Sequence, residues 1–446
     1  MPVAAGASHS AAVGEDGTLF LWGSDSVTGM KLDPTRVAGL PAPVRQVAAG
    51  TRHTAIVTDD GKLLTFGDGR EGRLGHSDEA NLTTPTLVDI GHHGKAFMVA
   101  CGGYHSALLT QMGGVYCFGH GGYGQLGLGN QLRQLAPMRV PAERFSDERI
   151  VMLAAGGYHT VALSDEGHVF TWGDSENGQL GHSDRERHCV PRQVEPEHFG
   201  GEKVVFVAAG EFHTVAVTAG GRLYTWGMGS FGQLGHGDAG DKLVPTLAEE
   251  ETFGASAVMM AACGTMHTLV VTSDGALWAC GCGNNGQLGL NDRANRLSFV
   301  RVGLGEFGGA RIVAAAAGDY HSAATTEDGA LWTWGTGASG QLGHGNAENR
   351  LVPTRVAQAG FGSGRIGRCL ALPAEHALAF AMCTHGRLGA GAHCSGLAAE
   401  PGLVAMIAGA SLEEHRRLLV GAARAEGVVR LVGGMLAREL SVVGRP

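Results

Sequence analysis

Seven histidines recur along the chain, each in the sequence G-x-x-H, at separations of 44, 52 and then 54 residues. They are His9, His53, His105, His159, His213, His267 and His321. Imidazole is a common zinc ligand, but zinc requires all its ligands within about 2.1 Å of one ion. One histidine per repeated unit spreads the set instead of gathering it. We therefore expect no metal site, and a structural hydrogen bond from each histidine to a neighbouring backbone carbonyl.

Other residue sets that could indicate chemistry also lack the partners they need. The sequence G-x-G-x-x-G recurs at the same place in five repeats, first at Gly67, Gly69 and Gly72. A dinucleotide site needs a helix directly after these glycines, whereas a loop and a proline-bearing segment follow here. Cys280-Gly-Cys282 has no second ligand pair. We therefore predict tight turns rather than nucleotide binding, no cofactor, no catalytic residues and no enzymatic activity.

The period itself predicts the elements that carry these residues, because a fixed repeat of this length is one supersecondary unit copied many times. In the unit that starts at Val207, two runs rich in Val and Thr flank Gly220-Gly221, a pair that suits a tight hairpin turn. A glycine-rich loop follows, and then a segment with Pro245, which suits an edge strand. Three or four antiparallel strands per unit, repeated radially, predict an all-β propeller. Four histidines of the glycine-rich loops are expected to be exposed: His76, His182, His236 and His344.

Composition narrows the class of protein. Of 446 residues, 44% are apolar and 17% are charged, so a large core is available. The net charge of −9 argues against direct nucleic-acid binding, since phosphate contacts need clustered Lys and Arg. We expect no membrane association, a monomer, and a location in the cytoplasm, the nucleus or both.

The recurring A-A-G-x-x-H-T, W-G and G-Q-L-G elements resemble the repeats of the regulator of chromosome condensation family, over about residues 3–357. This resemblance implies a seven-bladed β-propeller within residues 1–380. Arg73 replaces the usual Gln in the second repeat, and the first repeat lacks the G-Q-L-G element. The repeats are expected near 3–46, 47–98, 99–152, 153–206, 207–260, 261–314 and 315–369.

The two ends of the repeat array depart from the pattern. The first unit starts at Val3, so we expect a C-terminal segment, either Val352–Val356 or Ile366–Leu372, to complete that blade and close the ring. Residues 381–446 are expected to form a degenerate linker and short helices, the first opened by a capping box at Ser411 and Glu414. Those helices either pack on the propeller or bind a partner.

The two residues between Gly and His vary from repeat to repeat, although the repeat fixes their backbone. Four second positions are aromatic and one is Met, which predicts a rim of apolar side chains at one end of the propeller. The alternative is that each ring packs inward between neighbouring blades. The candidate partner-binding residues are Arg52, Tyr104, Tyr158, Glu211, Phe212, Met266, Asp319 and Tyr320.

The resemblance implies three activities to weigh. Family members exchange guanine nucleotide on the GTPase Ran, but here only Glu211 and Asp319 supply the acidic residues of these loops, and no blade carries an insertion. A plant UV-B photoreceptor of the family uses Trp in G-W-R-H-T loops, where this chain has Thr51. Others serve as recognition arms of ubiquitin ligases. We predict a non-enzymatic protein-interaction scaffold, with exchange on a Ran-type GTPase and a ligase-associated recognition module as alternatives.

Overall fold

The computed structural model describes residues 2–366, apart from 25, 26, 28, 92, 93, 249 and 362–365. These residues form seven four-stranded antiparallel sheets, each built from four consecutive strands in chain order. We call the sheets blades one to seven. The seven-bladed all-β propeller is therefore confirmed, whereas the predicted C-terminal linker and helices lie outside the described residues.

Each blade has the same four strands. The innermost strands are β1 (Val3–Ala5), β5 (Val44–Ala49), β9 (Ala96–Cys101), β13 (Ile150–Ala155), β17 (Val204–Ala209), β21 (Val258–Cys263) and β25 (Ile312–Ala317). The second strands are β2 (His9–Val13), β6 (His53–Thr58), β10 (His105–Thr110), β14 (His159–Ser164), β18 (His213–Thr218), β22 (His267–Thr272) and β26 (His321–Thr326). The third strands are β3 (Leu19–Ser24), β7 (Leu63–Gly67), β11 (Val115–Gly119), β15 (Val169–Gly173), β19 (Leu223–Gly227), β23 (Leu277–Gly281) and β27 (Leu331–Gly335).

The outer strands are β4 (Met30–Arg36), β8 (Leu82–Leu87), β12 (Gln134–Arg139), β16 (His188–Gln193), β20 (Lys242–Leu247), β24 (Arg296–Val302) and β28 (Arg350–Arg355). Single turns of 3-10 helix occur at Arg70–Gly72, Ala142–Phe145, Pro196–Phe199, Glu250–Phe253, Leu304–Phe307 and Gln358–Phe361. No helix in the described part of the chain has the length and apolar character needed to cross a membrane. The innermost strands line a central channel of about 830 Å³.

Antiparallel order places two kinds of loop at each end of the propeller. The G-x-x-H loops join the first and second strands, and the glycine-rich loops join the third and fourth strands, so both emerge at the same end. We call this end the loop face. The hairpin turns between second and third strands emerge at the opposite end, which we call the turn face. In blade five such a turn is made by Gly221, whose φ of +77° is the left-handed conformation that glycine adopts freely.

Blades pack face to face, so their middle strands have no solvent side. Every residue of β18 is buried, which explains its run of Val, Ala and Thr. At five of the seven blade junctions, a phenylalanine from a 3-10 turn packs edge-on against a tryptophan of the next blade's third strand. Phe199 lies 6.1 Å from Trp226 in this way, and Phe145 lies 5.9 Å from Trp172, measured between ring centroids.

The ring closes differently from the sequence-based prediction, which is wrong for the first blade. Blade one is completed by its own β4, and Val352–Val356 instead overlaps β28, the outer strand of blade seven. Phe361 follows blade seven and packs 6.2 Å from Trp22 of blade one, the same contact that joins other neighbouring blades. Ile366 forms an isolated antiparallel bridge with Gly14, and residues 367–372 lie outside the described ones. Blade seven therefore meets a complete blade one through this ring packing and the Ile366 bridge, and no strand is shared between the two blades.

Candidate functional site

The seven repeat histidines form a closed ring of hydrogen bonds between blades. Each Nε2 lies 2.8–2.9 Å from the hydroxyl of the Ser or Thr that follows the histidine of the next blade. The pairs are His9–Thr54, His53–Ser106, His105–Thr160, His159–Thr214, His213–Thr268, His267–Ser322 and His321–Ser10. The last pair joins blade seven to blade one. The histidines are therefore structural, but the predicted carbonyl partner is wrong, because a hydroxyl stands in that place.

The hydroxyl fixes the tautomer of the histidine. Thr214 Oγ1 donates to the backbone carbonyl of Gln179 at 2.7 Å, so its lone pair accepts from the Nε2–H of His159. Burial lowers the pKa of His159 to about 3, and neighbouring His105 and His213 act in the same direction. The imidazole is consequently neutral across the physiological range. In six blades the hydroxyl also bonds a carbonyl of the preceding blade's glycine-rich loop, so the network holds these two loops together.

The first glycine of each G-x-x-H loop makes the ring close-packed. A Cβ on Gly210 would lie 2.5 Å from both Gly264 O and His213 Nδ1, a separation that real Cβ atoms do not show. The same geometry recurs around the ring, so no side chain can replace these glycines without moving the next loop. The two variable residues of each loop are therefore held by a rigid backbone.

The four histidines of the glycine-rich loops are not exposed, which corrects the prediction. His182 is buried, and His76, His236 and His344 are half-buried. Their Nε2 atoms lie 2.8–3.0 Å from hydroxyls of third-strand threonines, as in the pair of His182 with Thr171. These histidines tie the glycine-rich loop to its own blade.

The eight predicted site residues all lie on the loop face, in two groups of opposite charge. Arg52 and Tyr320 are exposed, the latter at 41% of its surface, and the other six are half-buried. Arg52, Tyr104 and Tyr158 belong to blades two, three and four. Glu211, Phe212, Met266, Asp319 and Tyr320 belong to blades five, six and seven.

A cluster of aromatic rings occupies the first group. Tyr104 stacks on Tyr158 of the next blade, with centroids 5.4 Å apart and planes 13° apart. Tyr123 lies 4.6 Å from Tyr158, and His120 lies 5.7 Å from Tyr123. We call these four residues the tyrosine cluster. Both sequence-based alternatives thus hold in part here, since Tyr104 and Tyr158 pack against each other between blades while keeping exposed surface.

Tyr123 and His120 were not among the predicted site residues, and they come from the glycine-rich loop of blade three. The available signal was topological, since first-to-second and third-to-fourth loops of an antiparallel sheet emerge at the same end. Gln125 Nε2 donates to Nδ1 of His120 at 2.8 Å, which places the ring proton on Nε2. Burial lowers the pKa of His120; the charge of Glu71 opposes this shift, and the charge of Arg73 adds to it.

A cleft of about 480 Å³ opens beside the tyrosine cluster. Its lining is Thr51, Arg52, Arg70, Glu71, Arg73, Tyr104, His120, Tyr123 and Tyr158. Arg73 is only 2% exposed, and its guanidinium lies 4.7 Å from the centroid of the Tyr104 ring, in cation–π contact. Burial alone would raise the pKa of the nearby Asp68, but hydrogen bonds from Arg70 and the charge of Arg73 lower it to about 2.

The second group contains two carboxylates around one hydroxyl. The carboxyls of Glu211 and Asp319, from blades five and seven, both lie near the Thr265 hydroxyl of blade six, which favours their charged forms. Burial raises the pKa of both carboxyls, and the charge of Asp319 raises that of Glu211 further. Within the described ranges, no three His, Cys, Asp or Glu side chains group closely enough to hold a metal ion. The loop face is therefore basic and aromatic on one side and acidic on the other.

Comparisons with known sequences agree with this architecture. A family model described as an RCC1-like domain matches residues 1–261 and 141–415. The ultraviolet-B receptor UVR8 of Arabidopsis thaliana is 35% identical over 360 residues, which are 79% of this chain and 80% of the receptor. The E3 ubiquitin-protein ligase HERC2 of Homo sapiens is 34% identical over 293 residues, which are 65% of this chain but 6% of the ligase.

Solved structures share the fold. Human WBSCR16 superposes with a TM-score of 0.68 at 24% identity, covering 76% of this chain and 94% of that protein. Yeast RCC1 (Prp20), in its complex with Kap60, also gives a TM-score of 0.68 at 24% identity, covering 80% of this chain and 90% of its own. At this identity the superpositions establish architecture only.

Proposed function

Because the chain belongs to the RCC1-like domain family, we propose that it is a non-enzymatic module whose loop face binds a protein partner. The tyrosine cluster carries this proposal. Tyr and Arg dominate the energetics of protein interfaces, and here three tyrosines with nearby arginines surround one concave cleft. The proposed role is to hold a partner in place, with the chemistry supplied elsewhere.

The rigidity of the face supports the proposal. Association costs free energy whenever loops and side chains must be ordered on binding. In this chain the histidine–hydroxyl ring fixes the loop backbone, and the stacking of Tyr104 on Tyr158 fixes two side chains before any partner arrives. A preordered aromatic surface therefore retains more of its contact free energy as affinity.

A second candidate is guanine-nucleotide exchange on a Ran-type GTPase. The observation that favours it is the acidic pair Glu211 and Asp319 on the same face, since acidic residues in these loops are part of the family pattern. A role as the recognition module of a ubiquitin ligase has support from the 34% identity to HERC2. The UV-B receptor is similar in sequence, but Trp22, Trp172, Trp226 and Trp334 of this chain are buried in third strands. We therefore propose partner binding that does not depend on light.

An affinity capture from cell extract tests the proposed function. The variant Tyr104→Ala/Tyr158→Ala/Phe212→Ala removes aromatic contact area from the loop face, so we expect it to lose specific partners by at least about tenfold. The matched control is Met112→Ala, which removes the most exposed apolar side chain of the turn face, 84% exposed. Bound proteins are identified by mass spectrometry in nucleotide-free buffer with EDTA, after circular dichroism has shown that both variants are folded.

Three outcomes separate the candidates. Loss of partners from the triple variant, with full retention by Met112→Ala, supports binding at the loop face. A small GTPase that is released by GTP, and whose nucleotide release is stimulated by the chain but not by Asp319→Ala, supports exchange. A folded triple variant that keeps every partner contradicts the proposed face.

A further inference from the structure

We propose that the cleft beside the tyrosine cluster is a pocket for a carboxylate side chain, and that the protein partner presents an acidic segment to it. This inference rests on the proposed function and names the chemistry of the partner. Arg73 at the wall of the cleft is the central residue, and Arg52 at the rim supplies a second positive charge.

Arg73 replaces a glutamine that stabilises the other glycine-rich loops. In those loops the Gln side-chain oxygen accepts a hydrogen bond from a backbone N–H two residues earlier, as Gln125 does from Tyr123 at 2.9 Å. A guanidinium has no acceptor and cannot form this bond. In the second blade, Glu71 occupies the corresponding earlier position with a φ of +62°, which is unfavourable for a residue with a side chain. Arg73 is therefore a poor choice for loop stability alone.

The burial of Arg73 is also incompletely compensated. Its Nε donates to the carbonyl oxygen of Arg70 at 2.8 Å, but its buried Nη1 has no hydrogen-bond partner among the described residues. A buried charged donor without a partner is strongly destabilising in general. A carboxylate in the cleft lies beside the charged guanidinium that lines it, and Arg–carboxylate pairs are among the strongest in proteins.

The acidic residues around the cleft are already engaged. Asp68 pairs with Arg70, and Glu71 lies 3.9 Å from Arg133, which also pairs with Glu79 at 2.6 Å. Arg52 forms no ion pair within the part of the chain that the structure describes. Arg52 without an ion pair, and Arg73 with an unpartnered Nη1, therefore leave positive charge at the cleft, in a chain whose net charge is −9.

The other residues that line the cleft favour a ligand that has a hydrogen-bond acceptor next to an apolar group. Burial raises the pKa of Tyr158, and the adjacent Tyr104 hydroxyl raises it further, so the phenol stays a neutral donor. His120 carries its ring proton on Nε2, as its bond from Gln125 requires. The faces of the tyrosine rings suit an aromatic or aliphatic side chain beside the carboxylate. An acidic residue next to an apolar one fits this combination of groups.

Fluorescence anisotropy with defined peptides tests the inference on the full chain. The probe is a capped fluorescent pentapeptide with two glutamates flanking a phenylalanine, and its twin has glutamines in their place. We expect the acidic peptide to bind at least about tenfold more tightly than its twin, and more weakly as salt rises. Equal binding of the two peptides contradicts the inference.

Two substitutions assign the effect to the cleft. Arg73→Gln restores the residue that other blades carry, so it is expected to fold and to weaken the acidic peptide at least about tenfold. Arg73→Lys keeps the charge without the planar fork and is expected to bind with intermediate affinity. Arg144→Gln removes one exposed charge from a connection between blades and is expected to leave binding unchanged. Unchanged binding by a folded Arg73→Gln variant overturns the assignment.

Competition identifies the source of the negative charge. Inorganic phosphate is added at the concentration at which the peptide half-saturates the protein, and we expect it to displace little peptide. If phosphate at this concentration displaces the peptide, the preference for carboxylate is overturned.

Failure of this inference can be distinguished from failure of the proposed function. A captured partner that is lost with the Tyr104, Tyr158 and Phe212 substitutions but kept by Arg73→Gln preserves the docking face and removes the acidic pocket.

Discussion

Between pH 7 and pH 5 the propeller is expected to lose about 10 kcal/mol of unfolding free energy, because six buried histidines cannot take up protons while folded. Burial lowers the pKa of His105, His159, His267 and His321 to about 3 and that of His213 to about 4, and it lowers that of His53 well below its ordinary value. Unfolded histidine has a pKa of about 6.5. This loss is comparable to the whole stability of a usual domain, about 5–15 kcal/mol, so we expect the chain to be far less stable at pH 5 than at pH 7.

The sign of the effect follows from which state binds more protons. Above about pH 7 these histidines are neutral in both the folded and the unfolded state, so they do not reduce the unfolding free energy. As the pH falls through 6.5 the unfolded state is protonated first, so stability decreases until the folded pKa values are reached. Glu211 and Asp319 act in the opposite direction because burial raises their pKa, but they are two groups against six.

Denaturant titrations at half-unit intervals from pH 7.5 to pH 5 measure this dependence directly. We expect a slope that steepens towards about 8 kcal/mol per pH unit, the limit for six protons. Carboxylates with lowered pKa values, such as Asp68 at about 2, affect stability only at lower pH and do not overlap with this window. An unfolding free energy that is constant from pH 7.5 to pH 5.5 contradicts the neutral histidine ring.

Thr214→Val is expected to destabilise the propeller by about 2–5 kcal/mol, because it leaves two buried polar groups without partners. The Thr214 hydroxyl accepts from His159 and donates to Gln179 O, and the side chain is completely buried. Valine has nearly the same shape, so the change in packing is small. Equilibrium unfolding in urea at pH 7.5 gives the difference.

Thr35→Val is the matched control for that measurement. Thr35 lies in the outer strand β4, where its exposed hydroxyl donates to Asp33 O at 3.1 Å. Surface substitutions of this kind usually change stability by less than about 0.5 kcal/mol. If both variants lose equally little stability, the hydroxyl ring does not join the blades as described.

The repeat made the fold predictable from sequence, because one pattern of strands, turns and G-x-x-H loops recurs in register. The hydroxyl groups that bond the histidines are also present in the repeat pattern, since Ser or Thr follows every repeat histidine. They were missed because the bond joins different blades, and spacing within one repeat does not show which residues meet across an interface. Loop histidines such as His182 were predicted to be exposed for a similar reason, since their third-strand threonine is distant in the pattern.

Only part of the candidate site was predicted from the sequence. Tyr104 and Tyr158 were found because their positions vary within a fixed loop, whereas Tyr123 and His120 lie in a different loop that reaches the same end. Arg73 was noticed as a departure from the repeat, but its burial against Tyr104 depends on packing between blades. Ring closure was misjudged because Phe361, the residue that packs on Trp22, follows the last strand and belongs to no strand pattern.

Site-specific photo-crosslinking tests the proposed docking face most directly. A benzophenone amino acid is placed at Thr51 beside the cleft, at Tyr320 across the loop face, or at Met112 on the turn face. After irradiation in cell extract, we expect partner adducts from Thr51, from Tyr320 or from both, and none from Met112. Adducts formed from Met112 alone would contradict the assignment of the loop face as the partner-binding surface.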